Sequence, residues 1–258
     1  MNEVTPNPVA LFDSGLGGLT VAAELARLMP AETLVYLGDS ARVPYGTKSL
    51  ETVRRFALEN AAFCRTFDPK LLVVACNTAS AAAMDELEST SPVPVLDVIR
   101  SAVDAALAAT DGPIGVIATE ATVASGVYDR LIADAGGDGV TQSCPLLVPI
   151  IEEGRSPDDP IVLSVLGDYL HELQRRRVGA LILGCTHYPL LAGAIGKLMG
   201  PDVVLVNSGQ AAALAARDLL TRDAMLAPAD HEGTLRCFTT GDPKRFAELG
   251  RRFVGHVI

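Results

Sequence analysis

The stretch LLVVACNTASAA at residues 71–82 has a near twin in ALILGCTHYPLL at residues 180–191. Each is a short apolar run, then a cysteine, then a threonine within two positions, then a segment of helical pattern. Further apolar runs stand at 9–12 (VALF), 33–37 (TLVYL), 93–98 (VPVLDV), 113–118 (PIGVIA) and 203–206 (VVLV), each followed by ten or more residues of helical pattern. Short apolar strands alternating with helices predict βαβ units and a mainly parallel sheet covered by helices on both faces. The alanine-rich segments 101–109 and 211–216 fit closely packed helices, and the stretches around 89–94, 157–160 and 228–233 read as loops.

The twinning reaches further. VALFDSGLGGLTVAAEL (9–25) and IGVIATEATVASGVYDRL (114–131) are both apolar strands that end in polar residues, Asp13-Ser14 and Thr119, before a helix. Asp13 precedes Cys76 by 63 residues, and Thr119 precedes Cys185 by 66. Two landmarks with nearly the same spacing predict an internal duplication, hence two similar α/β units facing each other. In open α/β sheets ligands bind beyond the carboxyl ends of the strands. Asp13, Ser14, Asp39, Cys76, Asn77, Thr119, Cys185 and Thr186 all stand at such ends, so facing units would place one cysteine on each wall of a shared cleft.

Composition narrows the choice. The 258-residue chain carries 31 acidic against 21 basic residues, a net charge of −10, which weighs against nucleic acid as a partner. No run approaches the roughly 18 consecutive apolar residues of a membrane span. The opening MNEVTPNPVALFDSG has no basic region before its short apolar run, so the expectation is no signal peptide, no membrane and a cytoplasmic protein. Five cysteines without a C-x-x-C pair give neither a disulfide framework nor a zinc ribbon. Cys64, Cys144 and Cys237 read as structural thiols. Arg175-Arg176-Arg177 reads as a solvated helix end. The GLGG at 15–18 has Thr20 where a dinucleotide fingerprint needs glycine, so it reads as a close turn that presents Asp13 and Ser14.

A thiol ionises near pH 8.5 and is easily tuned toward neutrality, and a helix N-terminus is expected to lower its pKa further. Two opposed thiols could take a proton from one face of a carbon and return one to the other, inverting a stereocentre. Asn77, Thr78 and Thr186 could hold a substrate carboxylate. Three alternatives stay open. Cys185 with His187 could serve a cysteine hydrolase, although groups at i and i+2 rarely give triad geometry. A metal site from Cys185, His187 and a distant cysteine has no motif behind it. A non-catalytic protein could keep the cleft for binding alone.

FDSGLGGLTV (12–21), GDSARVPYGTKS (38–49), ACNTAS (75–80), CPLLVPIIEEG (144–154) and LGCTHYPLL (183–191) together resemble the signature segments of the glutamate racemases, in the aspartate/glutamate racemase superfamily. The resemblance implies two pseudosymmetric α/β domains with the active site between them, 1–97 plus 208–258 carrying Cys76 and 98–207 carrying Cys185. It implies racemisation of glutamate for peptidoglycan synthesis, with no pyridoxal phosphate or other cofactor, no metal, and a homodimer. Cys76 and Cys185 would be the two bases, with Asp13, His187 and Glu152 supporting the chemistry. Substrate contacts would come from Asp13, Ser14, Asp39, Tyr45, Gly46, Asn77, Thr78, Thr119, Thr186 and His187. Tyr45, between Pro44 and Gly46, is expected on a mobile loop closing the site.

Overall fold

A computed structural model describes residues 6–254. Two parallel sheets face one another, each covered by helices. The first is built from β1 (Val9–Asp13), β2 (Leu34–Gly38), β3 (Leu71–Val74), β4 (Val95–Asp97) and β9 (Leu235–Thr239), in the order β4-β3-β1-β2-β9. The second holds β5 (Ile114–Ala118), β6 (Gly139–Ser143), β7 (Ala180–Gly184) and β8 (Val204–Asn207), in the order β6-β5-β7-β8. Laid over one another, β1 matches β5, β2 matches β6, β3 matches β7 and β4 matches β8. The duplication read from the cysteines and polar strand ends therefore extends to strand order.

The central strands are fully buried: every residue of β1, β2, β3, β5 and β7 is inside. That is why they read as unbroken apolar runs. Burying each such Val, Leu or Ile side chain stabilises the fold by about 1.5–3 kcal/mol. Two strands escape that reading, β6 (GVTQS) and β9 (LRCFT). Both are edge strands, half-buried and polar, so they lack the apolar run of a central strand.

Helix α1 (Leu19–Leu28) follows the glycine turn, α2 (Leu50–Arg65) starts at the Ser49 cap, and α3 (Asn77–Thr90) starts at Cys76. The second half carries α5 (Glu120–Ala124), α6 (Val127–Asp134), α7 (Leu147–Glu152), α8 (Pro160–Arg175) and α9 (Ala192–Met199). Two helices change sides. β4 runs without a linker into α4 (Val98–Ala109), which packs Ile99, Ala102, Val103 and Ala106 on the second sheet. β8 runs as directly into α10 (Ser208–Arg222), which returns to lie along α1 in the first half. The crossings share one device. Asp97 accepts the N–H groups of Ile99 and Arg100 at 2.7 and 2.9 Å, and Asn207 accepts those of Gly209 and Gln210 at 2.9 and 3.3 Å. Helix α11 (Pro243–Val254) follows β9. Among the described residues no helix is long and apolar enough to cross a membrane.

Candidate active site

The carboxyl ends of the two sheets enclose a cavity of about 210 Å³. Cys76 and Cys185 both line it, with Ser14, Tyr45, Gly46, Asn77, Thr78, Thr119, Glu152, Thr186 and His187. Of the residues expected from sequence, only Asp13 and Asp39 are not in the lining. Both are fully buried behind it.

On the first wall, Cys76 is the N-cap of α3, its Sγ accepting the Ala79 N–H at 3.5 Å. Asp13, at the end of β1, gathers the Gly15 and Gly18 N–H groups on Oδ2 at 3.0 Å each, while its Oδ1 has no hydrogen-bond partner. The glycines exist for these approaches. A Cβ on Gly18 would lie 2.4 Å from Asp13 Cβ, and one on Gly17 would lie 2.2 Å from Thr186 Oγ1. Burial, and then the Asp13 carboxylate, push the Cys76 thiol above its ordinary range, against opposing hydrogen bonds from Ala79 and Ser14. The lowering expected from the helix N-terminus is thus outweighed, and Cys76 sits as a neutral thiol.

The second wall differs. Cys185 follows the end of β7 but opens no α-helix; a 3-10 turn, Tyr188–Leu191, follows before α9. Its Sγ lies 3.8 Å from His187 Nδ1, and His187 Nε2 lies 3.2 Å from Glu152 Oε1. Spacing at i and i+2 therefore does bring thiol and imidazole together, because the turn folds the chain back after Cys185. Burial alone would depress the His187 pKa. Hydrogen bonds to Cys185 and Glu152 and the nearby negative charges override it and raise the value to about 10. The His187 bond, against partial burial, holds Glu152 below the usual carboxylate range.

Asn77, second in the cavity wall after Cys76, accepts the Tyr128 hydroxyl on Oδ1 at 2.7 Å, leaving its buried Nδ2 without a partner. Thr78, Thr119 and Thr122 form a ring of hydroxyl contacts at 2.9–3.2 Å that joins α3 to α5 across the two halves. Tyr45 is not on a free loop: it is 1% exposed, donates to Asp39 and accepts from Asn60 at 3.1 Å. Asp39 is fully engaged by Tyr45, by Arg42 at 2.6 Å and by Thr240 at 2.7 Å. Its place is behind the loop rather than in the cavity. The same loop is tied to the other half, where the Gly46 carbonyl accepts the Ala121 N–H at 3.0 Å.

Cys144, read from sequence as structural, lines the cavity beside Val148 and Pro149. The signal was present in CPLLVPIIEEG, which also supplied Glu152. Cys64 is buried in the first half and Cys237 is exposed on β9. Among the described residues no group of three or more His, Cys, Asp or Glu side chains is arranged to hold a metal ion.

Residues 18–216 match the family described as Asp/Glu/Hydantoin racemase. The chain is 44% identical to a glutamate racemase of Geobacter metallireducens over 96% of its own length and 92% of that protein. A crystal structure of a glutamate racemase isoform from Bacillus anthracis superposes with a TM-score of 0.93 at 37% identity, covering 98% of this chain and 95% of that one. A glutamate racemase from Francisella tularensis in complex with D-glutamate does so with a TM-score of 0.88 at 35% identity, covering 97% and 94%.

Proposed function

The chain belongs to the Asp/Glu/Hydantoin racemase family, and from that premise we propose that it is a glutamate racemase, interconverting L- and D-glutamate through two thiols without a cofactor. The observation that carries this reading is one cavity with a cysteine on each wall at matched strand ends. Cys76, beside a buried carboxylate, is a neutral thiol able to donate. Cys185 is paired with His187, whose raised pKa favours the imidazolium, a cation held against the sulfur at 3.8 Å. In one direction the sulfur of Cys185 removes the α-proton and Cys76 delivers its proton to the opposite face. In the other the roles reverse. Each transfer contributes about 10²–10⁴-fold.

Removing an α-proton puts charge on the substrate carboxylate. The unpartnered Asn77 Nδ2 and the first amides of α3 are the donors assigned to it. Thr78, Thr119, Thr186, Ser14 and the Tyr45-Gly46 turn complete the substrate wall, with Asp13, His187 and Glu152 tuning the thiols. Residues 1–97 with 208–258 are assigned to one jaw in this reading and residues 98–207 to the other; of these, residues 1–5 and 255–258 lie outside the described residues. Its setting is a cytoplasmic homodimer that supplies D-glutamate for peptidoglycan. Five unpaired thiols support a reducing compartment, and light scattering on the purified protein tests the dimer.

The test is purified protein with L-glutamate in deuterated buffer and no added cofactor. Loss of optical rotation together with α-deuterium is the expected result; no exchange overturns the assignment. A second reading, a cysteine hydrolase, draws on the line Glu152–His187–Cys185. It requires an acyl-enzyme on Cys185 and indifference to Cys76, so a Cys76→Ala variant separates the two.

A further inference from the structure

Helix α11 grows out of β9, the outer strand of the first sheet, and is anchored in that half. Phe246 sits 6.2 Å from the Tyr36 ring and against Gly38, where a Cβ would come within 2.6 Å of it. Gly250 packs on Leu19, where a Cβ would lie 2.9 Å away. Yet the last turn of α11 ends on the other half. Arg252 donates to the carbonyls of Ile151 at 3.1 Å and Glu152 at 3.5 Å, the end of α7. Phe253, buried, meets the His187 ring edge-on at 5.3 Å and 83°. Arg245, two turns nearer the start, is close enough to help stabilise the Glu152 carboxylate.

We propose that Arg252 and Phe253 are positioning residues for the Cys185 wall: a helix rooted in the first half holds Glu152 and His187 of the second in line with the Cys185 sulfur. The racemase reading supplies only the reaction by which this is measured. Arg252 holds the backbone of Glu152, and Phe253 packs against the imidazole whose two nitrogens face Cys185 and Glu152. The groups that face His187 are then Cys185 and Thr186 from its own segment, Glu152 from α7, Asp13 from β1, and Phe253 from α11.

The test uses the full chain with Arg252→Gln, Arg252→Lys and Phe253→Leu. The His187 imidazole is titrated by NMR, with His187→Asn identifying its signal. Alongside are measured kcat/KM against pH and the deuterium isotope effect on each α-deuterated enantiomer. The expected result is a lowered His187 midpoint in Arg252→Gln and Phe253→Leu, with kcat/KM down about 10- to 100-fold. The isotope effect should rise for one enantiomer only, the one whose proton Cys185 removes, and Arg252→Lys should restore part of the loss. An unchanged His187 midpoint, or an isotope effect that changes equally for both enantiomers, overturns the proposal. Arg252 is exposed, so its Gln variant keeps the fold, as thermal unfolding will check. If the wild type exchanges no α-proton, the racemase reading fails, while the His187 titration still decides the role of α11.

Discussion

The two cysteine walls occupy matched places in matched sheets, yet they are electrostatic opposites. Cys76 caps a helix next to the buried Asp13 carboxylate, whereas Cys185 precedes a 3-10 turn and faces an imidazole whose partner is Glu152. Duplication explains why there are two thiols in register. The divergence of their neighbours explains how one is held protonated while the other faces a cation. Titratable pairs whose surroundings push them apart are what acid/base chemistry at one carbon requires.

The sharpest break removes a wall altogether. Cys76→Ala or Cys185→Ala should each cut kcat/KM by about 10²–10⁴-fold while the unfolding temperature moves little. A single variant that racemises normally would end the two-thiol account. Asp13→Asn comes next. It keeps an oxygen for Gly15 and Gly18 but removes the charge, so the Cys76 thiol pKa should fall, read from thiolate absorbance against pH. The matching change on the other wall, Glu152→Gln, should lower the His187 midpoint from about 10, seen by NMR.

Stability carries the same signature more faintly. Because folding raises the His187 pKa to about 10 from its ordinary value near 6.5, its contribution is fully present below about pH 6.5. It is lost as pH rises through about 10, so the gap between wild type and His187→Asn in denaturant unfolding should narrow from pH 7 to 10. A gap that widened instead would mean the imidazole is held neutral. The smallest effect is on the seam between the walls. Thr20 Oγ1 contacts the Thr186 carbonyl at 3.0 Å, and Thr20→Val should cost about 1 kcal/mol with little change in rate.

The sequence made the inside of this molecule legible and left its margins obscure. Central strands are buried on both faces and announce themselves as apolar runs; β6 and β9 lie at sheet edges, where half the residues face outward, and carry no such mark. The cavity residues could be named because they follow strand ends in recurring order. What could not be read was direction. Nothing local says that Tyr45 turns inward to Asp39, that Cys144 faces the cavity, or that Phe253 reaches His187 from the far end of the chain. Those contacts join residues distant in sequence, and only the closed fold defines them.

The crossings at Asp97 and Asn207 carry a mechanical consequence. The chain passes between the halves at these two places with no slack on either side, each passage pinned by a capped helix start. A body attached at two fixed points keeps a single easy motion, rotation about the line through them. The halves are therefore hung like a door, and any opening that admits an amino acid must swing the two sulfurs apart along an arc rather than slide them out of register.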